Sequence, residues 1–204
     1  GSSTIFVNQE YAEQTMRGGH SDLAKAKDAD NKTKGLDLDY ATQWSYGIGE
    51  TFTLLVPNTK GGASVPLAMN EKAMEKANPM YMNIYRQIGQ YWGEQPGTSG
   101  PVYVGAFVMF LFVLGLFIVK GPMKWALLVA TILSILLSWG KNFMGFTDFF
   151  IDYIPMYSKF RTVSSILVVA EFTIPLLAML ALKEWVERPQ LLKEKGKVNL
   201  QIRL

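Results

Sequence analysis

The sequence predicts an all-α membrane protein, with about three transmembrane helices and an interfacial helix that follow an outward-facing segment of short helices and loops. Three apolar segments, 102–119, 125–140 and 162–182, indicate this class, because a chain of 204 residues seldom buries three such segments in one soluble core. The first segment, VYVGAFVMFLFVLGLFIV, is uncharged, and as a helix it would rise about 27 Å, close to the thickness of a bilayer's hydrocarbon core. It also lacks the polar face of a soluble surface helix.

The second and third segments are less uniform. Segment 125–140 is short for a span, but Lys124 and Lys141 close its ends, and their stems can extend to the membrane surface. Segment 162–182 carries Glu171 near its middle, and Pro175 deprives the Glu171 carbonyl of its helical donor. These two residues predict an intramembrane polar site that faces the bundle interior. The alternative is a protonated or paired carboxyl group packed against another helix.

The segment 143–157, FMGFTDFFIDYIPMY, predicts an interfacial helix because aromatic side chains cover most of its surface. Asp148 and Asp152 are four residues apart and would share one helix face. Such a pair suits acid–base chemistry or a divalent cation, but it equally suits the solvated side of the helix. The sequence identifies no cofactor and no other metal site, since it has no cysteine and a single histidine.

The distribution of charge predicts the orientation. Lys120 and Lys124 lie in a short hairpin between the first two spans, and the tail 184–204 is basic, so both are expected in the cytoplasm. The segment 1–100 and the loop 141–161 then face outward. The basic residues flank apolar spans and form no stripe with aromatic residues, so the net charge of +3 does not indicate nucleic acid.

Tyr157, Lys159 and Arg161 precede the third span with alternating spacing. An extended backbone would direct all three side chains to one side, at the level of the lipid headgroups. Arginine offers a planar fork of donors for phosphate and lysine adds a point charge. Two interpretations remain open, a specific phosphate site and general anchoring to headgroups.

The outward segment 1–100 reads as short helices and loops. Aromatic rings stack on sugars and carboxylates accept bonds from their hydroxyls, so Trp44, Tyr46, Glu50 and Trp92 are candidate sugar or acceptor contacts; their aromatic members equally suit an interfacial belt. The local predictions are helices at 8–16 and from 39, a charged run at 21–36, a brief apolar run at 51–56, a flexible loop at 60–64, and two helices within 67–92 separated at Asn78-Pro79.

Several strings resemble the YfhO family of bacterial polytopic membrane proteins, and its Bacteroidetes members in particular. They are TQWSYGIGETFTLLVPN (42–58), YWGEQPGTSGPVYVGA, LSWGKNF and PMYSKFRTVSS. The resemblance covers almost the whole chain but only a later portion of a family member. It implies a GT-C-type glycosyltransferase in the bacterial inner membrane that acts outside on a polyprenyl-phosphate-linked sugar. The catalytic carboxylate of that superfamily usually lies in a first outer loop that has no counterpart here, so no catalytic residue carries over.

Two further functions remain open from the sequence: a transporter or flippase that uses Glu171 and Pro175 at the midplane, and a non-catalytic subunit of an envelope-assembly complex. The expected partners are membrane lipid, the lipid-linked sugar and additional transmembrane helices. An outward segment of this size needs a translocation signal before it, and the chain begins Gly-Ser-Ser. We therefore expect an inactive piece of a longer polytopic protein, in which Gly1 to Ser3 are either native or left by cloning.

Overall fold

The computed structural model describes Val7, Tyr11 and residues 38–97, 102–154, 157 and 162–190. The predicted helix 8–16, Tyr11 apart, and the charged run 21–36 lie outside these residues. Contacts divide the chain into unit 1, Gly1–Ile48, Gly93–Gly97 and Leu136–Ser165, and unit 2, Gly49–Trp92, Thr98–Ile135 and Ile166–Leu204. In chain order the elements are α1 (Leu38–Ala41), β1 (Gly61–Pro66), α2 (Glu71–Met74), α3 (Met82–Gln87), β2 (Gly89–Tyr91), α4 (Ala106–Ile118), α5 (Met123–Ser138), α6 (Met144–Tyr153) and α7 (Leu167–Glu187), with 3-10 turns at Ile48–Leu54, Leu67–Met69, Pro79–Tyr81, Gly140–Phe143 and Val163–Ile166.

The described residues are mostly helical and contain one helix, Val163–Glu187, that is long and apolar enough to cross a membrane. The stretches Met123–Ser138 and Gly140–Tyr153 meet that criterion only as a pair bent at a break, so the count is at most two. Helix α4 has 13 residues and is about 20 Å long, which is shorter than a bilayer core. The prediction of about three spans is thus confirmed only in part.

Helix α4 begins four residues later than the predicted span 102–119. Gly105 has φ +113°, which is not helical, and it directly precedes the helix. The backbone N–H groups of Val104 and Gly105 donate to the carbonyl of Leu54, at 3.2 and 3.4 Å. Residues 102–105 therefore bond to a distant part of the chain and do not extend the helix.

The all-α prediction is wrong for the segment 1–100, because β1 and β2 form an antiparallel pair. Gly61 lies opposite Tyr91 and Pro66 opposite Gly89, with an irregularity between these two positions. The predicted flexible loop 60–64 is thus largely strand. The break predicted at Asn78-Pro79 is confirmed, since the Asn78 side chain caps the turn by accepting from the Met80 N–H at 3.0 Å.

The core of unit 2 lies where α4 packs against α7. A Cβ on Gly115 would lie 2.9 Å from Leu177 Cγ, so only glycine allows this close approach. The hydroxyls of Thr131 and Thr173 bond at 2.7 Å and join α5 to α7. The buried apolar residues of the two packed helices include Leu111, Phe112, Ile118, Ala170, Ile174, Leu177, Ala178 and Ala181.

Unit 1 is organised by hydrogen bonds around the turn Gly140–Phe143. The Ser45 hydroxyl accepts from the Lys141 N–H at 2.9 Å, and the Tyr46 N–H donates to the Ser138 carbonyl at 2.7 Å. Gly140 has φ +44°, and a Cβ there would collide with the Ser45 hydroxyl. The predicted interfacial helix 143–157 corresponds to α6. Phe143, just before it, stacks on Phe146, and the rings that follow to Tyr153 meet in tilted or edge-on pairs.

Candidate functional site

The buried carboxylate of Glu50 is the centre of the candidate site in unit 2. Glu50 lies in the 3-10 turn Ile48–Leu54 and is only 1% exposed. Its Oε1 accepts a hydrogen bond from the hydroxyl of Tyr91, the last residue of β2. A buried carboxylate needs such a donor, because an uncompensated charge is costly to remove from water. The pair fixes the 3-10 turn against the end of the strand.

The ammonium group of Lys60 lies close to the same turn. Lys60 Cε and Nζ are 3.1 and 3.5 Å from the position that a Cβ on Gly49 would take. The absence of a side chain at Gly49 therefore allows the lysine stem to pack against the backbone next to Glu50. Lys60 itself is exposed, so its charge remains accessible to an anion.

The ring of Trp92 lies against Gly61, the first residue of β1. The backbone N–H of Trp92 donates to the Lys60 carbonyl at 2.8 Å. The ring atom Cδ1 of Trp92 is 2.7 Å from the position that a Cβ on Gly61 would take. Gly61 has φ +82°, so both the backbone and the ring contact require glycine. Trp92 is 69% exposed, so much of its large aromatic surface is accessible.

Glu50, Lys60, Tyr91 and Trp92, together with the two glycines, form what we call the Glu50 cluster. An exposed indole can stack on the apolar face of a sugar ring, and an ammonium group can pair with a phosphate or carboxylate. The arrangement suits binding of a sugar that carries a negative charge. It contains no nucleophile–base pair of the kind that covalent catalysis uses.

Two of the predicted sugar contacts, Trp44 and Tyr46, belong to unit 1. The indole N–H of Trp44 donates to the Pro96 carbonyl at 2.8 Å. Tyr46 is 1% exposed, and its carbonyl accepts from the Asn142 amide at 3.0 Å. The Trp44 side chain is thus held by its hydrogen bond within unit 1, and the Tyr46 side chain by its burial there. The other two predicted sugar contacts, Glu50 and Trp92, belong to the Glu50 cluster.

Glu171 lies on the exposed face of α7. Its neighbours Val168 and Phe172 are also exposed, whereas Ala170 and Ile174 are buried. The expected orientation towards the bundle interior is therefore not what the described helices show. Pro175 lies inside α7, as predicted, and the helix continues through it to Glu187.

Asp148 and Asp152 lie on one exposed face of α6, one turn apart. Among the described residues no group of three or more His, Cys, Asp or Glu side chains is placed to hold a metal ion. The pair thus has the placement expected of the solvated side of an interfacial helix.

Tyr157 is the described member of the predicted phosphate group, and Lys159 and Arg161 lie outside the described residues. Its ring contacts Phe150, with centroids 5.8 Å apart, and its buried hydroxyl has no hydrogen-bond partner within the described part of the chain. Burial raises the pKa of the phenol from 10.0 to about 12, because the charged phenolate loses solvation. Tyr157 is therefore neutral and packed against α6 at physiological pH.

No family model, curated protein or solved structure matches this chain. The resemblance to the YfhO family therefore remains a prediction.

Lys60 is the member of the Glu50 cluster that the sequence did not assign to a site, because it was expected in a loop. The segment that contains Tyr91 was expected to be helical. The signal for β1 was the pair Gly61-Gly62 ahead of Ala-Ser-Val-Pro, which permits a strand but does not name its partner. The pairing of β1 with β2 places Tyr91, whose hydroxyl bonds to Glu50, opposite Gly61, the residue after Lys60.

Proposed function

We propose that this chain is part of a bacterial inner-membrane protein that transfers a sugar from a polyprenyl-phosphate carrier to a glycan or lipid of the cell envelope. The resemblance to the YfhO family suggests the reaction class. The helix Val163–Glu187, which is long and apolar enough to cross a membrane, supports the location. In the proposed role this part of the protein binds the lipid-linked sugar, and the catalytic carboxylate belongs to another part.

The exposed ring of Trp92 in the Glu50 cluster is the observation that carries the proposal. An indole is normally buried at least in part, whereas the Trp92 side chain is 69% exposed although one edge of its ring, at Cδ1, lies against Gly61. Lys60, one residue from that glycine, supplies a positive charge. A sugar phosphate combines the two chemical features that these side chains recognise.

Binding of a labelled polyprenyl-phosphate hexose by the full chain in lipid nanodiscs tests this proposal. Trp92→Ala and Lys60→Ala are each expected to weaken binding about tenfold, which corresponds to about 1.4 kcal/mol. Trp125→Ala is the matched control, since Trp125 is also exposed but lies at the start of α5. Unchanged affinity in Trp92→Ala, or an equal loss in Trp125→Ala, would refute the proposed role of the cluster.

Lys159 and Arg161 are proposed, independently of the Glu50 cluster, as phosphate ligands of unit 1. Arg161→Ala should weaken binding of the polyprenyl-phosphate hexose but leave binding of the free hexose unchanged, because only the former carries the phosphate. An equal effect on both ligands would remove Arg161 from this role.

The alternative function, a transporter, depends on Glu171. The carboxylate of this residue lies in the middle of an apolar helix, where its ionised form costs roughly 2.5 kcal/mol or more on insertion scales. Loss of ion-coupled flux in Glu171→Gln, with unaltered hexose binding, would favour transport over sugar transfer.

A further inference from the structure

The 3-10 turn Ile48–Leu54 and the two residues after it distribute their side chains in an unusual way. The polar residues Glu50 and Thr53 are 1% and 0% exposed. The apolar residues Phe52 and Val56 are 64% and 52% exposed. A segment in water normally places its polar groups outward and its apolar groups inward. Apart from the buried Leu54, this segment does the reverse, which indicates that an apolar environment surrounds its exposed side chains.

The turn is attached directly to the start of α4. The Leu54 carbonyl accepts from the N–H groups of both Val104 and Gly105, and Leu54 itself is buried. Leu55 and Val56 continue the turn, with both N–H groups donating to the Phe52 carbonyl, at 3.1 and 2.8 Å. The exposed apolar side chains therefore occupy a fixed position relative to the end of this helix.

The summed length of α4 and residues 102–105 matches the distance that a chain must span to cross a bilayer core. Helix α4 rises about 20 Å, and residues 102–105 in extended form add about 13 Å, for a sum close to the roughly 30 Å of a hydrocarbon core. Extended backbone is tolerated at that depth only where its polar groups have protein partners. The Leu54 carbonyl is such a partner for Val104 and Gly105.

The helices next to the turn also carry exposed apolar side chains. Phe107, Phe110 and Phe117 on α4 are exposed, as is Phe172 on α7. Tyr103, exposed just before α4, adds an aromatic ring of the type that is enriched at membrane interfaces.

We infer that Phe52, Leu55, Val56 and Tyr103 form a membrane-inserted patch that seats the Glu50 cluster on the surface of a lipid bilayer. The occupant of this patch is lipid, because its exposed side chains are apolar and uncharged and because Leu54 bonds the turn to the residues directly before the apolar helix α4. Glu50 and Thr53 then face the protein interior, away from the hydrocarbon. The patch sets the cluster at headgroup depth independently of which ligand the cluster binds.

Site-directed spin labelling of the full chain in phosphatidylcholine–phosphatidylglycerol vesicles tests this inference directly, since the protein has no cysteine of its own. Nitroxide labels at Phe52→Cys and Val56→Cys are expected to collide severalfold more often with oxygen, relative to a water-soluble nickel chelate, than a label at Asn83→Cys. Asn83 is an exposed polar residue of α3 and provides the aqueous reference. Leu55→Cys gives a second apolar position should Phe52→Cys fail to fold.

Phe110→Cys separates the two proposals. An oxygen-rich label at Phe110 together with a water-exposed label at Phe52 and Val56 would overturn the inserted patch but leave the membrane location of the proposed function intact. A water-exposed label at Phe110 would overturn both. Oxygen-rich labels at all three positions are the expected result.

Discussion

At the scale of single residues, Tyr157 shows how burial alone alters the chemistry of a side chain. Its phenol has a pKa of about 12 in the folded protein, against 10.0 for a solvated tyrosine, because burial disfavours the phenolate. The neutral phenol therefore contributes stability that is complete below pH 10.0 and is lost as the pH rises towards 12. Stability falls with rising pH because the unfolded chain releases this proton at a lower pH than the folded chain does.

Tyr157→Phe is expected to remove this alkaline loss of stability. The free energy of unfolding of the full chain in detergent should fall less between about pH 9 and about pH 11 for this variant than for the wild type. Because the hydroxyl has no partner within the described part of the chain, its removal should not destabilise the protein at neutral pH. Tyr153→Phe removes an exposed phenol from the same segment and serves as the control. An identical pH profile for the wild type and Tyr157→Phe would contradict the assignment.

At the scale of elements, Gly115 determines how closely α4 approaches α7. A Cβ at this position would lie 2.9 Å from Leu177 Cγ and 3.0 Å from the Leu177 carbonyl, so the two helices must separate to accept even alanine. The intrinsic helix propensity favours alanine over glycine by about 1 kcal/mol. The clash of an alanine methyl group with Leu177 opposes this preference, because overpacking a tight interface typically costs about 1–3 kcal/mol.

Gly115→Ala is therefore expected to lower the free energy of unfolding by about 1–2 kcal/mol net. Gly145→Ala in α6 is the matched control, because a Cβ there would meet nothing within 4 Å. That variant should be neutral or slightly stabilising. Thermal unfolding of the Gly115→Ala and Gly145→Ala variants in the same detergent measures this difference in stability. A stabilising Gly115→Ala would show that the α4–α7 contact is looser than described.

The elements also show which parts of the fold could be predicted from the sequence. Helix α5 (Met123–Ser138) lies within two residues of the predicted segment 125–140 at each end, since apolar length and flanking lysines are local features. Helix α7 (Leu167–Glu187) begins and ends five residues later than the predicted segment 162–182. The start of α4 was misplaced because a φ of +113° at Gly105 and a bond to Leu54 are consequences of tertiary contacts. The strand pair was missed because β1 is rich in glycine and its partner lies more than twenty residues away.

The candidate site was predictable to a similar degree. Glu50 and Trp92 were recognisable as a carboxylate and an aromatic ring in a glycine-rich outward segment. Their association with Tyr91 and Lys60 was not, because it depends on the pairing of β1 with β2 and on the space above Gly49 and Gly61. Residue type thus suggested the candidate side chains, while non-local pairing determined which residues lie together.

At the scale of the whole molecule, the proposed sidedness follows from where positive charge lies. Lys120 lies in the turn between α4 and α5, and Lys124 lies in the first turn of α5. The Lys124 ammonium donates to the Leu116 carbonyl at 2.8 Å, which places this charge at the end of α4. Positively charged turns of this length are retained in the cytoplasm. The strand β1, on the other side of the proposed crossing, would then face outward.

Cysteine labelling with a membrane-impermeant reagent tests this sidedness on a chain that has no native cysteine. The protein is expressed in bacteria behind a cleavable secretory signal, which supplies the translocation that an outward segment requires. Ser64→Cys, exposed in β1, should react in intact spheroplasts, whereas Pro122→Cys, exposed in the basic turn, should react only after permeabilisation. Replacing Lys120 and Lys124 by glutamine should weaken this asymmetry, because the retained charge is its cause. Reaction of Pro122→Cys in intact spheroplasts would reverse the orientation and move the Glu50 cluster to the cytoplasmic face, where a lipid-linked sugar acted on outside the cell could not reach it.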